Sequence, residues 1–272
     1  MILFKEFDQS TFHEQRFHFL LIAEADHVLT ITLNRPRKKN ALHPQMVNEI
    51  AYAFQYAHGN SDVWMLVIAA EGDVFCAGAD LKAMAGMGEA HESSITMPEG
   101  AILMGELFRK VNKPVIAKVT GDVYAGGFLF LAGSHIVVAQ DHVKFGLPEV
   151  KRGLYPMQVM ASLLQVMPTR KVIDWCIRGY NLPVAEALRY GLVTEVVAAD
   201  EMEAAIQRIV AELKQNSPTA IRNGLMAFDH IRPSGDEHEY LLEMLMQTIS
   251  SKDGQEGLKA FREKRQPIWT GK

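Results

Sequence analysis

Alternating polar and apolar positions over residues 27–33 predict a strand that ends at the turn formed by residues 34–36. A helix is predicted from Pro44 onward, because proline suits a first helical turn and apolar residues recur on one side after it. The runs 63–69, 115–119 and 136–139 are continuously apolar, as expected of strands buried on both faces. Helical patterns separate these runs, which predicts an α/β fold of repeated β-then-α units over the first two thirds of the chain.

After about Pro156 helical patterns predominate, and residues 192–197 give one further strand. The predicted helices cover residues 157–166, 169–178, 183–190, 200–215, 218–231, 236–249 and 253–264. Residues 85–100 are rich in Gly, Ser, Glu and Met and are expected to form a loop with some helical character. The expected architecture is therefore a mixed core followed by an all-helical tail.

Composition narrows the classes of partner. The 272 residues suffice for one or two domains, and a formal net charge of -4 argues against duplex nucleic acid as the main ligand. The longest apolar stretch, residues 123–139, is interrupted by glycines and is shorter than the roughly 20 residues of a membrane-spanning helix. Cys76 and Cys176 are too few and too distant for a metal motif or a disulfide framework, and residues 1–8 lack a secretory layout. We expect a cytoplasmic protein without membrane or nucleic-acid partners.

Three common motifs are incomplete. The pair Gly86 and Gly88 lacks the third glycine and the preceding strand of a dinucleotide-binding turn. No G-x-S-x-G nucleophile elbow occurs. His13-Glu14 and His91-Glu92 lack the second histidine of a zinc protease helix, so these residues are interpreted as solvated polar groups.

Residues 75–82 (FCAGADLK) are the first segment that carries chemistry. They follow the predicted buried strand 63–69, and the small residues Ala77, Gly78 and Ala79 let backbone amides approach a ligand. The alternative is an ordinary strand-to-helix turn that Asp80 caps.

Residues 118–132 (KVTGDVYAGGFLFLA) are the second such segment. A strand ends at Val119, and Ala125, Gly126 and Gly127 open an apolar helix. The first amides of a helix have no partners within it and carry partial positive charge, so this end can bind an anion. The alternative is a buried helix whose glycines permit close packing.

Together, the two segments resemble the oxyanion-hole segments of the crotonase (enoyl-CoA hydratase/isomerase) superfamily. Further segments match in the family's order from about residue 27 to 266: ITLNRP at 31–36, NAL at 40–42, FGLPE at 145–149 with Gly153, EALRYGLV at 186–193 and AFREKR at 260–265. The resemblance implies a crotonase-like layered core of repeated ββα units with an acyl-CoA site over residues 1–200. It also implies a C-terminal helical trimerisation region over residues 201–272, in a homotrimer or a hexamer.

The resemblance also assigns roles. The amides of Ala79 and Gly126 would stabilise a thioester enolate, and Glu149 would be the catalytic glutamate. Coenzyme A, which is part of the substrate and not a separate cofactor, would bind through cations and through Phe261 and Lys264, which would face its adenine and a phosphate across a subunit boundary. The cations are Arg37, Lys38, Lys39 and Lys82. The alternatives are a solvated basic turn for the cations, a helix-core position for Phe261 and a surface carboxylate near Lys151 and Arg152 for Glu149.

Leu129 departs from the family's hydratases. These carry a second glutamate twenty positions before the first, where this chain has Leu129 among apolar neighbours. Hydration uses two groups that hold the water and share its protons, whereas one carboxylate suffices to move a double bond between positions 3 and 2. The sequence therefore favours an enoyl-CoA isomerase. Enoyl-CoA hydration, another acyl-CoA reaction such as decarboxylation, and a CoA-binding protein with little catalysis are the alternatives.

Overall fold

A computed structural model describes residues 3–98, 100–231 and 237–268. Its larger sheet has six strands in the order β1-β2-β3-β5-β7-β10. These strands are β1 (Leu20–Ala25), β2 (Val28–Leu33), β3 (Met65–Ala70), β5 (Val115–Val119), β7 (Ile136–Gln140) and β10 (Glu195–Val197). All neighbouring pairs are parallel except β1 and β2, which form a hairpin. The apolar runs thus form the predicted strands, and β1 is an addition.

The β1–β2 hairpin closes through Asp26 and His27, which both have positive φ angles, of 49° and 68°. A two-residue hairpin turn of this twist needs a positive φ at both positions. Strand β1 was missed because its outward positions include Leu21, which is 49% exposed, so its alternation of polar and apolar residues is weak.

The smaller sheet has four very short strands in the order β4-β6-β8-β9, and the sequence pattern did not predict it. The strands are β4 (Val74–Cys76), β6 (Asp122–Tyr124), β8 (Phe145–Gly146) and β9 (Asn181–Leu182). Strands β4, β6 and β8 are parallel to one another, and β9 is antiparallel to β8. Strands β4, β6 and β8 each follow a strand of the larger sheet along the chain, so the pairs β3/β4, β5/β6 and β7/β8 divide between the two sheets. This division is the physical form of the predicted ββα repeat.

Six helices belong to the core region: α1 (Pro44–Gly59), α2 (Met104–Lys110), α3 (Phe128–Gly133), α4 (Met157–Leu163), α5 (Thr169–Arg178) and α6 (Val184–Arg189). Helix α1 begins at Pro44 as predicted, and the side chain of His43 accepts a hydrogen bond from the Gln45 amide at its N-terminus. Ile50, Ala51 and Phe54 are fully buried in the main hydrophobic core. The predicted loop 85–100 overlaps at its start with one wide helical turn, Ala83–Met87, and its residues 88–98 have no regular structure.

The C-terminal region contains α7 (Met202–Lys214), α8 (Pro218–Ile231), α9 (Glu237–Ser250) and α10 (Lys252–Glu263). Helix α7 packs Ala205, Ile206 and Ile209 against Val67 and Ile116 on the outer face of the larger sheet. On α8, Met226 and Phe228 are about half exposed, at 48% and 50%. The role of this region in trimerisation stays a prediction. In the described parts of the chain, no helix has the length and apolar character needed to cross a membrane.

Candidate active site

The smaller sheet brings the three predicted catalytic positions to one edge. Ala79 lies three residues after the end of β4, Gly126 two residues after β6, and Glu149 three residues after β8. Because these strands are parallel neighbours, their carboxyl ends meet at the same edge, which is where open α/β sheets bind ligands. Tyr124 is opposite Gly146 in the β6–β8 pair, and Cys76 is opposite Val123 in the β4–β6 pair, which has a register shift between Val74 and Cys76.

Ala79 presents its amide to the space beside this edge. Its segment pairs with Leu42 in a parallel bridge, in which the Leu42 amide donates to Gly78 O at 2.8 Å and the Asp80 amide donates to Leu42 O at 3.1 Å. Leu42 therefore bonds to the residues on either side of Ala79, and the N–H of Ala79 points away from Leu42. This arrangement frees one backbone donor for a ligand.

Gly126 lies against the same segment. It is the middle residue of a short 3-10 turn, Ala125–Gly127, that leads into α3, and the first amides of such a turn have no carbonyl partners within it. A Cβ built on Gly126 would be 3.5 Å from the Ala79 nitrogen and 3.3 Å from Gly78 Cα. The structure thus places the two predicted donors side by side.

Gly78 makes this approach possible. Its φ angle is +88°, and a Cβ there would lie 2.6 Å from the Cβ of Ala125 and 2.9 Å from the Gly126 nitrogen. Any larger residue would push the two turns apart, so glycine is required both by conformation and by contact.

Glu149 begins the 3-10 turn Glu149–Arg152 that follows β8. Its Oε2 atom is buried and has no hydrogen-bond partner among the described residues. Burial raises the pKa of Glu149 to about 7, and the positive charge of Arg152 acts in the opposite direction. The surface-carboxylate interpretation is therefore wrong. A buried carboxyl group that titrates near neutrality is suited to accept and return a proton.

Tyr155 and Cys176 lie close to Glu149, and sequence reasoning missed both. They hydrogen-bond to each other, and burial together with the charge of Glu149 raises the pKa of the Cys176 thiol to about 12. This thiol is therefore neutral and not nucleophilic at neutral pH. No spacing in the sequence distinguished Cys176 from a core residue, because only the fold brings α5 against the Glu149 turn.

Leu129 is the second residue of α3 and is 9% exposed, whereas Phe128, Phe130 and Leu131 are at most 1% exposed. Its side chain belongs to the main hydrophobic core. Position 129, which the sequence singled out, is therefore buried and apolar and provides no second carboxylate.

The basic turn predicted to hold coenzyme A lies next to the Ala79 segment. Arg37 and Lys38 form a 3-10 turn with Pro36, and the Ala77 amide donates to Lys39 O at 3.0 Å. The four cations of this group, Arg37, Lys38, Lys39 and Lys82, are all exposed. They are therefore accessible to an anion, and the structure is equally consistent with a solvated basic turn.

Phe261 and Lys264 lie at the end of α10, apart from the basic turn. The Phe261 ring is 52% exposed, so it is not the core residue of the alternative interpretation. It lies under the guanidinium of Arg152, whose Cζ is 4.5 Å from the ring centroid. Helix α10 reaches this turn closely, since a Cβ on Gly257 would lie 2.2 Å from Arg152 O. Within one chain, Phe261 thus contacts the turn that carries Glu149.

Comparison with known proteins identifies the family of this chain. A family model described as Enoyl-CoA hydratase/isomerase matches residues 23–272. The chain belongs to this family. It is therefore an acyl-CoA-processing enzyme of the crotonase type, and the predicted fold is confirmed.

Individual relatives match over nearly their whole length. An enoyl-CoA hydratase from Mycobacterium tuberculosis is 31% identical over 254 residues, which cover 91% of this chain and 94% of that protein. A mitochondrial enoyl-CoA hydratase domain-containing protein 3 from Rattus norvegicus is 29% identical, with 91% of this chain and 83% of the relative covered. The crystal structure of a carnitinyl-CoA hydratase from Mycobacterium avium superposes with a TM-score of 0.82 at 27% identity, and covers 94% of this chain and 100% of that chain.

Proposed function

We propose that this enzyme is an enoyl-CoA isomerase that moves a double bond from position 3 to position 2 with Glu149 as its single acid/base. The observation that carries the proposal is the buried Oε2 of Glu149, which no described residue hydrogen-bonds, at the same sheet edge as the Ala79 and Gly126 amides. Leu129, buried and apolar, stands where a second carboxylate would be needed to hold a water molecule.

In the proposed reaction, the Glu149 carboxylate takes a proton from C2 of a 3-enoyl thioester. The electrons of the C–H bond form a dienolate, whose negative oxygen accepts hydrogen bonds from the Ala79 and Gly126 amides. Each such donor is worth about 2.7–4 kcal/mol in other enzymes. Glu149 then returns the proton to C4, which leaves the double bond at position 2 and restores the carboxylate.

Coenzyme A is proposed to bind along the exposed basic turn. A hydrogen bond from the Ala77 amide to Lys39 O joins this turn, with Arg37, Lys38 and Lys39, to the Ala79 segment. Lys82 follows Ala79 by three residues in the chain. Phosphates bound there would leave the thioester next to the amides. Phe261 and Lys264 are proposed to contact the adenine end.

Hydration of a 2-enoyl-CoA is the second candidate, because the Mycobacterium tuberculosis relative carries the name enoyl-CoA hydratase at 31% identity. For hydration, Glu149 would have to position the water without a second carboxylate at position 129. A backbone group or another side chain would then hold the water.

Rates on matched 3-enoyl-CoA and 2-enoyl-CoA substrates test the proposal. Formation of the conjugated thioester raises the near-ultraviolet absorbance, and hydration lowers it, so one assay follows both reactions. We expect isomerisation to be the faster reaction and Glu149→Gln to slow it by about 10²–10⁴-fold. Faster hydration would establish the second candidate, and CoA affinity without turnover of either substrate would indicate a binding protein.

A further inference from the structure

Arg35 is a buried cation next to the Ala79 segment. It is 6% exposed, and its guanidinium donates hydrogen bonds to three groups: Ala41 O at 2.9 Å, Asp80 Oδ2 at 2.7 Å and Glu89 Oε1 at 2.5 Å. A buried charge is costly unless it is paired and hydrogen-bonded. One acceptor lies in the loop that carries Arg35 and the other two lie at the ends of segment 80–89, so the guanidinium connects this loop to both ends of that segment.

Asp80 directly follows Ala79, whose amide is one of the two proposed donors. The Asp80 amide donates to Leu42 O, while its Oδ1 atom accepts hydrogen bonds from the amides of Lys82 and Ala83, each at 3.1 Å. Asp80 thus caps the following turn, as the alternative interpretation of this segment supposed. Its other oxygen, Oδ2, is held by Arg35, so the orientation of the peptide at residue 79 depends on that contact.

The loop that carries Arg35 is itself fixed to the body of the protein. Asn40 is fully buried, and its Nδ2 donates to Glu71 O at 2.9 Å and to Val74 O at 2.8 Å, just before and within β4. Its Oδ1 accepts a hydrogen bond from the Arg35 amide at 2.8 Å. The backbone of Arg35 is therefore held by Asn40, and its guanidinium bonds to Asp80 from this fixed position.

Glu89 lies beyond the turn 81–87, whose Leu81, Met84 and Met87 side chains are exposed at 36%, 56% and 63%. The hydrogen bond from Arg35 holds the pKa of Glu89 below its ordinary value, so this carboxylate is charged at neutral pH. The Arg35 guanidinium thus holds both ends of segment 80–89. This segment directly follows Ala79 and carries the exposed apolar side chains.

We propose that Arg35 is a positioning residue that orients the Ala79 amide through Asp80 and fixes the segment 81–88 beside the acyl group through Glu89. This inference rests on the proposed function of Ala79. The two contacts of Arg35 should have different effects. The contact with Asp80 acts on the dienolate through the Ala79 amide and should control kcat. The contact with Glu89 acts on the bound acyl chain and should control KM.

The test uses Arg35→Lys, Asp80→Asn and Glu89→Gln with hexanoyl-CoA, a saturated thioester that cannot isomerise, labelled with carbon-13 at its carbonyl. Difference infrared spectra report how strongly the amides polarise the bound carbonyl. We expect the shift to lower frequency in the wild type to shrink in Arg35→Lys and Asp80→Asn, with kcat on a 3-enoyl-CoA reduced by about 10²-fold, as for a misplaced catalytic group. Glu89→Gln should keep the shift and raise KM.

Arg208→Lys is the matched control, because Arg208 forms a bidentate pair with Glu195 at 2.7 and 2.6 Å on the exposed side of α7. It should change neither the spectrum nor the kinetics. Circular dichroism and thermal unfolding establish that each variant is folded. If Arg35→Lys does not fold, Asp80→Asn, which keeps the size of the side chain, tests the same contact alone.

The outcomes separate the two proposals. If the wild type does not shift the carbonyl frequency, the oxyanion hole is refuted and the role of Arg35 with it. If the wild type shifts it and folded Arg35→Lys and Asp80→Asn retain the full shift and kcat, only the positioning role of Arg35 is refuted.

Discussion

Gly78 lies directly against Gly126, so that a Cβ added to Gly78 would stand 2.9 Å from the Gly126 nitrogen. These two glycines belong to turns that are almost fifty residues apart in the sequence and follow neighbouring strands of the smaller sheet. Their contact sets the spacing of the Ala79 and Gly126 amides. The absence of a side chain at residue 78 is therefore a requirement of the site itself.

Gly78→Ala should lower kcat/KM by about 10²-fold or more, because the added Cβ must displace the Ala125–Gly126 turn and with it one amide donor. Gly86→Ala is the control. Gly86 also has a positive φ, of 76°, but a Cβ there meets nothing within 4 Å. Both variants share the cost of the left-handed conformation. Steady-state kinetics and thermal unfolding should show a loss of kcat for Gly78→Ala alone, and equal values of kcat in the two variants would contradict the proposed spacing of the amides.

The second prediction concerns pH. Since Glu149 must be ionised to take a proton and its pKa is raised to about 7, kcat/KM should rise with pH and be half-maximal near pH 7. Above pH 7, where the wild-type carboxyl group is ionised, Glu149→Gln should lose about 10²–10⁴-fold in kcat while CoA affinity is retained. A variant with wild-type activity would show that another group is the base. Asp122 is a poor candidate, because its two oxygens already accept hydrogen bonds from the Tyr124 hydroxyl and the Lys144 amide.

The same carboxyl group should affect stability with the opposite trend. Folding raises the pKa of Glu149 from 4.5 to about 7, so the folded state binds more protons than the unfolded state between these values. Its contribution is full below pH 4.5 and is lost as the pH rises through 7. Relative to Glu149→Gln, the wild-type free energy of unfolding should fall by on the order of 3 kcal/mol across this window. Urea unfolding at a series of pH values measures the difference, and parallel curves would contradict the burial of a titrating carboxyl.

Much of the fold was predictable because β3, β5 and β7 of the larger sheet are continuous apolar runs. Residues 115–119 and 136–139 correspond to β5 and β7 within one residue, and the helix from Pro44 begins where expected. The smaller sheet was not predictable, because strands of two or three residues, such as β8, give no periodicity. It is nevertheless this sheet that aligns Ala79, Gly126 and Glu149.

The predicted site was incomplete for a related reason. Ala79, Gly126 and Glu149 were found through resemblance, since each stands in a recognisable segment. Arg35 has no distinguishing pattern, because it is a cation beside a proline just as Arg37 is. Only the packing shows that Arg35 is 6% exposed while Arg37 is in solvent. Burial of a charge is a property of the tertiary structure, and local sequence does not determine it.

The third prediction tests the contact of α10 with the Glu149 turn. The charge of Arg152 lowers the pKa of Glu149, so Arg152→Met should raise it and move the acidic limb of the kcat/KM profile to higher pH. Phe261→Ala, which removes the ring 4.5 Å from the guanidinium, should move the limb in the same direction by less. Lys151→Met is the control, because Lys151 is the exposed neighbour in the same turn. A profile that moves with Lys151 and not with Arg152 would contradict this assignment.

The last prediction concerns Leu129, the position that decides between isomerase and hydratase in our proposal. Leu129→Glu would supply a second carboxylate on α3, able to hold a water molecule and exchange its protons, so the ratio of hydration to isomerisation should rise even if total activity falls. Leu129→Gln is the matched control, because an amide of the same size can hold water but cannot take a proton, and it should raise the ratio much less.

Both variants place a polar group at a site that is 9% exposed, so a lower melting temperature is expected for each. Burial should also raise the pKa of the new glutamate, and hydration by Leu129→Glu should therefore increase with pH as that carboxyl ionises. Equal ratios in the two variants at high pH would contradict the prediction, since the added charge would then contribute nothing to the handling of water. The choice of reaction would in that case depend on Glu149 and its other neighbours, and the apolar side chain at position 129 would serve only to fill the core.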